Sequence, residues 1–296
     1  MDEMLSVVIV GAGPAGIAAA IYLQRGGFDP LLLEKGVPGG LLRHANNVEN
    51  YPGFPRGISG TRLAELFVEH LWAMGGSVKN ATVKCISRCE DGTFAVSTLD
   101  EEYRTKTVII ATGTRAKLVD IRGAQAVGDH RAFYDILELL DMTRPPEKIL
   151  IYGGGDAAFD YGLNLDRRGY DVTILCRSRI KCLPLLRERA EHARIRAIEG
   201  HSITRVMDEG RLRVETDGMG PIETDRLLIA CGREPRLDIL ASSLIALSST
   251  GERTHAADMP GLYLAGDIVA DRRRQAGIAI GSGLNAAMLA EQYLRK

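Results

Sequence analysis

The sequence predicts an α/β protein built on two doubly wound, Rossmann-like dinucleotide-binding plans. Three observations carry that prediction. An apolar run, Val7 to Val10, leads directly into Gly11-x-Gly13-x-x-Gly16. The pattern returns as Lys148-ILIY followed by Gly153-x-Gly155-x-x-Ala158. Two later stretches, Val108-IIATGTR and Arg226-LLIACGR, mirror each other as strand, small residue, glycine and arginine. Strand, glycine turn and helix in that order form the context a dinucleotide fingerprint requires.

In the first plan Gly11 allows the tight turn, Gly13 admits a pyrophosphate to the backbone N–H groups, and Gly16 lets the helix pack on the strand. The anion then lies at the positive end of a helix that runs through Ile17, Ala20, Ile21 and Leu23. Gly26-Gly27 turns the chain into a second buried strand, Pro30 to Leu33, which ends on Glu34 and Lys35. Glu34 is placed to accept hydrogen bonds from both hydroxyls of a ribose. The first ligand is therefore expected to be a dinucleotide with free ribose hydroxyls.

Residues 36–60 are rich in Gly, Pro and Asn, and a loop of this length is expected to wrap a ligand. Thr61 is expected to cap a helix with Leu63, Leu66, Phe67, Leu71 and Met74 on one face. Residues 78–110 read as short strands, Ser77-VKNATVKCIS, Phe94-AVST and Thr107-VIIAT, with a hairpin turn at Glu90-Asp91-Gly92-Thr93. A helix is expected around Ala132–Leu140, stopped by Arg144-Pro145-Pro146.

The second fingerprint differs where its next strand ends. Asp171-VTIL-Cys176 runs into Arg177-Ser178-Arg179, with Lys181 beyond, rather than into an acid. An acid there would repel a 2′-phosphate, whereas arginine forks bind one bidentately. That pattern points to NADP(H), with NAD(H) left open. Residues 201–230 read as a three-stranded β excursion returning to the sheet. Gly261-LYLAGD ends a strand on Gly266-Asp267, suited to a polyol or phosphate linker, and Gly277-IAIGSGLNAAMLAEQYL is a closing helix.

Composition bounds the function. Of 296 residues, 45% are apolar and 25% charged, with a formal net charge of −1. Such a chain carries a sizeable core and is not built for nucleic acid or for electrostatic attachment to a membrane. No apolar run of about 18 residues would span a bilayer, and the acidic flank Met1-Asp2-Glu3 is unlike a signal sequence. A cytoplasmic protein is expected. The five cysteines, Cys85, Cys89, Cys176, Cys182 and Cys231, are odd in number and irregularly spaced, as in neither a disulfide framework nor a zinc site. No Cys-x-x-Cys occurs.

One fingerprint suited to free ribose hydroxyls and one suited to a phosphate suggest FAD plus NADPH. At this point the chain resembles the low-molecular-weight thioredoxin reductase family across nearly its whole length. The matching pieces are Gly11-AGPAG, Gly39-GLL, Val48-ENYPGFP, Ala111-TGTRAK, Gly153-GGDAA, Leu264-AGD, Arg274-QA and Gly281-SG. The resemblance implies a homodimer with an FAD domain, residues 1–117 and 236–296, into which an NADPH domain, residues 118–235, is inserted. It places Gly11, Gly13, Ala15, Gly16, Glu34, Lys35, Gly40, Leu42, Asn50, Ala111, Gly113, Gly266, Asp267, Gln275 and Ala276 around FAD. It places Gly153, Gly155, Asp156, Ala157, Arg177 and Arg179 around NADPH.

The sequence departs from the family pattern at three points. Leu41 stands where glutamine is usual, and Ser178 replaces the second arginine of His-Arg-Arg. The family's redox Cys-x-x-Cys precedes the second fingerprint, and the corresponding stretch, Val127-GDHRAFYDILELL, holds no cysteine. Without that dithiol, electrons cannot reach thioredoxin by thiolate attack. Ferredoxin–NADP reductases of similar fold also lack the dithiol, but they carry a C-terminal residue on the flavin that this sequence, closing at Lys296, does not supply.

The expected function is an FAD-dependent NAD(P)H oxidoreductase that passes electrons directly to a ferredoxin, flavodoxin, quinone or small electrophile. The alternatives are a disulfide reductase using an unusual cysteine or a partner's dithiol, and a flavin-binding redox sensor without turnover. No catalytic side chain is assigned. Phe133 and Tyr134 are read as packing residues, with stacking on the flavin ring as the alternative, and His130 as an exposed loop histidine, with protonation of flavin or substrate as the alternative.

Overall fold

The computed structural model describes residues 4–128, 130–193, 195–241, 259–271 and 273–296, so the acidic flank at residues 1–3 lies outside the described residues. The chain divides into two α/β units: Met1–Arg43, Val48–Arg115 and Glu234–Lys296 in one, His44–Asn47 and Ala116–Arg233 in the other. The second unit is thus inserted between pieces of the first. Residues 44–47, which continuity along the chain would put in the first unit, make their contacts in the second.

In the first unit Leu5–Val10 lies between Leu31–Glu34 and Glu102–Ile110, parallel to both. Val7, Val8 and Ile9 are each 0% exposed, which explains the unbroken apolar run: a parallel strand with both faces covered has no polar side. Lys79–Asn80 extends the sheet beyond Leu31–Glu34. Glu102–Ile110 changes partners along its length. Its first residues pair antiparallel with Phe94–Ser97, and its last pair parallel with Leu262–Leu264.

One face of this sheet packs on helices Pro14–Arg25 and Ala276–Leu294, and Ala19, Ala286, Ala287 and Ala290 at that seam are fully buried. Gly283 brings the backbones together, since a Cβ there would lie 2.1 Å from the Ala15 carbonyl oxygen. The helix ends are clipped by Tyr22, whose hydroxyl donates to Glu291 at 2.8 Å.

The second unit repeats the plan. Its parallel sheet runs Arg196–Glu199, Asp171–Cys176, Lys148–Tyr152, Arg226–Ile229, Ala132–Phe133. A separate antiparallel sheet of Ile203–Asp208, Leu212–Thr216 and Ile222–Thr224 forms the expected excursion.

Several expected boundaries move. Ser59, not Thr61, caps the helix Gly60–Ala73: its hydroxyl accepts the Arg62 amide at 3.2 Å, while the Thr61 hydroxyl donates to the Arg43 carbonyl. The stretch expected as one strand from Ser77 separates into Lys79–Asn80 and Cys85–Arg88, which pair with different neighbours. The expected Ala132–Leu140 helix is a strand, Ala132–Phe133, followed by a helix Ile136–Met142 that Asp135 caps through the Leu137 amide. Apolar residues shared by both elements blur the helical period there. Helix Pro184–His192 and strand Arg196–Glu199 were not foreseen.

Candidate nucleotide-binding sites

The first glycine loop closes on backbone contacts that exclude side chains. Gly11 has φ +104°, and a Cβ on it would meet the Ala111 carbonyl oxygen at 2.4 Å. A Cβ on Gly16 would lie 1.9 Å from the Gly11 carbonyl oxygen. Gly13 is different. It precedes helix Pro14–Arg25 in extended conformation, and no protein atom lies within 4 Å of its Cβ position. The space left above the helix N-terminus is therefore open where an anion would be drawn by unsatisfied N–H groups and the helix dipole.

Glu34 ends the neighbouring strand beside this loop. Its carboxylate accepts the Ala12 amide at 2.8 Å and the Gly36 amide at 3.0 Å. Two accepted bonds leave a carboxylate about two further lone-pair sites for ribose hydroxyls. Lys35 is exposed, and Leu42 is half-buried in the short turn Gly40–His44. Gly40, at φ +56°, closes on Gly13, where its Cβ would lie 3.1 Å from the Gly13 Cα.

Residues distant in sequence converge on the same unit. Asn50 donates to Gln275 through its side-chain amide at 2.6 Å, and Gln275 precedes Ala276, the first residue of the closing helix. Ala111 donates its amide to Val10, and Gly113, at φ +64°, accepts the Arg236 amide at 3.0 Å. Gly266, at φ +78°, approaches Ala15 so closely that its Cβ would lie 2.8 Å from the alanine methyl. Its amide donates to the Ser282 hydroxyl at 2.9 Å, which fixes the turn carrying half-buried Asp267. Ser282 and Gly283 belong to the matching piece Gly281-SG, but the sequence assigns neither a role, because both read as ordinary members of a small-residue helix.

The second loop reproduces the first. A Cβ on Gly153 would meet the Ala230 carbonyl oxygen at 2.4 Å, the counterpart of Gly11 against Ala111. The Gly153 amide donates to Leu175 at 2.9 Å, as Gly11 donates to Leu33 at 2.8 Å. Gly155 precedes helix Asp156–Arg167 with no protein atom within 4 Å of its Cβ position, as Gly13 does. Ala157 is exposed on the first turn, and Asp156 accepts the Leu183 amide at 2.8 Å.

At the strand end Arg177, Arg179 and Lys181 are all exposed, and no ion pair engages any of them among the described residues. The acid missing from this strand stands one strand outward: Glu199 is in register with Cys176, whereas Glu34 is in register with Asn80. Glu199 accepts the Ile180 amide at 3.3 Å and pairs with Arg187 at 3.8 Å.

All five cysteines are free in the described structure, Cys176 buried and the other four partly buried. Burial pushes the Cys231 thiol up to about 11, against a lowering from Arg177, and burial with the nearby Asp156 raises Cys182. Phe133 is 2% exposed in the core, and the Tyr134 hydroxyl accepts the Val119 amide at 3.3 Å. His130 is exposed.

Residues 5–283 match the sequence family described as pyridine nucleotide-disulphide oxidoreductase. A thioredoxin reductase from Chlamydia pneumoniae is 31% identical over 308 residues, spanning 97% of this chain and 98% of the relative. Among solved structures, thioredoxin reductase from T. acidophilum is similar at a TM-score of 0.89 and 28% identity, covering 100% of both chains. Thioredoxin reductase from Lactococcus lactis gives 0.88 at 29% identity, covering 98% of this chain and 99% of the other.

Proposed function

The chain belongs to the pyridine nucleotide-disulphide oxidoreductase family, and from that premise we propose that it is an FAD-dependent NADPH oxidoreductase working without a Cys-x-x-Cys dithiol. The observation that carries this reading is the paired loop geometry: Gly13 and Gly155 each leave open the place a pyrophosphate needs, above a helix N-terminus. The first loop, with Glu34 at its ribose end, fits FAD. The second, with Arg177 and Arg179 in no ion pair among the described residues, fits a nicotinamide dinucleotide bearing a 2′-phosphate.

When bound, the two cofactors supply the redox chemistry, a hydride from nicotinamide to flavin and its two electrons onward. The chain supplies position and charge. Glu34 orients the adenosine ribose by accepting from its hydroxyls. The N–H groups beyond Gly13 and Gly155 would neutralise the two pyrophosphates, and Asp267, Gln275 and Asn50 would help to hold FAD. In this reading the protein is a cytoplasmic homodimer and the acceptor is a redox protein, a quinone or a small electrophile.

A second reading, a disulfide reductase, is favoured by the relatives, of which the Chlamydia pneumoniae protein bears the name thioredoxin reductase. It needs a thiolate. A Cys231 thiol held near 11 is almost wholly protonated at neutral pH, and the Cys182 shift is in the same direction. A dithiol brought by a partner is the form of this reading that asks no thiolate of Cys182 or Cys231.

Thiol reactivity gives a direct measurement. Alkylation of Cys231 by iodoacetamide at pH 7.5 is expected to be much slower than that of a free thiol. Its rate should rise about tenfold per pH unit until about pH 11. Fast labelling at neutral pH, located at Cys231 by mass spectrometry, would restore it as a candidate nucleophile.

The proposed activity is tested by anaerobic mixing of FAD-loaded protein with NADPH. Rapid bleaching of the flavin band is expected, followed by reoxidation by a quinone or ferredoxin at an unchanged rate in a variant with all five cysteines replaced by serine. Loss of reoxidation in that variant would turn the assignment toward the disulfide reductase. No bleaching by NADPH or NADH, with dithionite still effective, would turn it toward a redox sensor.

A further inference from the structure

We propose that Glu199 and Arg187 act together to set the nucleotide preference of the second unit, an inference that rests on the NADPH reading of that unit. Glu199 is a positioning residue, and Arg187 masks its charge.

The register places Glu199 beside Cys176, one strand outward from the ribose position that Glu34 holds in the first unit. Neighbouring strands are about 4.8 Å apart, so this carboxylate lies close to any phosphate held by the arginine turn. Its two oxygens are used differently. Oε2 accepts the Ile180 amide at 3.3 Å, which fixes the backbone of the turn bearing Arg177, Arg179 and Lys181. Oε1 lies 3.8 Å from one terminal nitrogen of the Arg187 guanidinium, a group shared between Glu199 and Glu191, its Nε donating to Glu191 at 3.2 Å.

The consequence is electrostatic. Three cations within five residues have no ion pair among the described residues, while the acid nearest to them in register accepts a backbone amide and lies within 3.8 Å of a fourth cation that also pairs with Glu191. A bare carboxylate at this place would favour a free 2′-hydroxyl, as Glu34 does, and repel a 2′-phosphate. Masked by Arg187, it holds the turn without opposing the phosphate. The pair thus converts a position suited to NAD(H) into one compatible with NADP(H).

The test is a double-mutant cycle on the FAD-loaded protein, reading the Kd of NADP⁺ and of NAD⁺ by calorimetry. Arg187→Met is expected to weaken NADP⁺ binding three- to tenfold and NAD⁺ binding less than twofold, more strongly at low salt than at high. Glu199→Gln in the Arg187→Met background removes the unmasked charge but keeps a carbonyl oxygen for the Ile180 amide. It should bring NADP⁺ back to within twofold of the parent. A merely structural role would move both nucleotides together, would not depend on salt, and would not be rescued. A ratio of the two Kd values unmoved by Arg187→Met, or a loss shared equally by both nucleotides, overturns the proposal. The parent protein separates this from the NADPH reading: tighter binding of NAD⁺ than of NADP⁺ would sink that reading, whereas the pair is judged on the shift in the ratio.

Discussion

Gly13→Ala is expected to give a folded protein that no longer retains FAD. The residue is in extended backbone, φ −76° and ψ −177°, which alanine adopts without strain. Its added methyl meets no protein atom within 4 Å, so the polypeptide resists it only through a poorer helix cap, about 1 kcal/mol or less. The ligand meets it directly. A methyl in the cradle lifts the pyrophosphate off the N–H groups, each charge-assisted bond contributing about 1.5–3 kcal/mol, so the loss of two or more weakens FAD by at least about a hundredfold. Gly155→Ala is the matching change in the second unit, where the Cβ position is equally open. It should leave a yellow protein that dithionite bleaches but NADPH at ordinary concentration does not. Circular dichroism and a urea midpoint close to wild type, with FAD absent after gel filtration, are the outcome expected of Gly13→Ala. Stoichiometric FAD retained by that variant would show that the first loop does not hold it. Gly11→Ala would be a poorer probe, because φ +104° and the Ala111 carbonyl at 2.4 Å would damage the fold as well as the site.

Both glycine loops were legible in the sequence because each joins a fully buried strand to a helix, and a strand covered on both faces leaves an unbroken apolar signature. Glu34 was legible for a related reason: it is the one acid that terminates such a strand at the required distance. Glu199 was not. Its strand, Arg196–Glu199, is at the sheet edge with mostly exposed side chains, and helix Pro184–His192 before it buries only Ala190. Neither segment carries a periodic apolar face, so their pairing with Cys176 could not be inferred from pattern. Ser282 and Gly283 were hidden differently. The piece Gly281-SG marks them as part of the family pattern, but their roles arise from approach to Ala15 and Gly266, outside the closing helix, and nothing local states those roles. The cap at Ser59 rather than Thr61 has a local cause, since both hydroxyl residues flank the same helix start and only the hydroxyl that reaches the Arg62 amide identifies the cap.

Gly283→Leu is expected to cost most of the stability of the first unit. The Cβ would be placed 2.1 Å from the Ala15 carbonyl oxygen and 2.9 Å from its Cα, both backbone atoms of a helix that is itself packed on the sheet. Neither helix can yield alone. Pro14–Arg25 is held by the Gly16 contact with Gly11, and Ala276–Leu294 by fully buried Ala286, Ala287 and Ala290. Overpacking of this kind typically costs about 1–3 kcal/mol where side chains can adjust, and more where backbone must separate; a loss of about 4 kcal/mol or more is expected against a typical total of about 5–15. The displacement also reaches the site, because the preceding residue, Ser282, holds the Gly266 amide and thereby the turn carrying Asp267. FAD should therefore weaken in parallel with the urea midpoint. If the leucine variant fails to fold, Gly283→Ala meets the same backbone atoms with a single methyl and should show both losses in reduced form. Gly281→Ala is the control. It is exposed on the same helix with no atom within 4 Å of its Cβ position, and it should stabilise by about 0.5–1 kcal/mol through helix propensity alone. A Gly283→Leu protein with a wild-type midpoint and bound FAD would mean that the two helices are not in backbone contact, and the small-residue seam would then need another explanation.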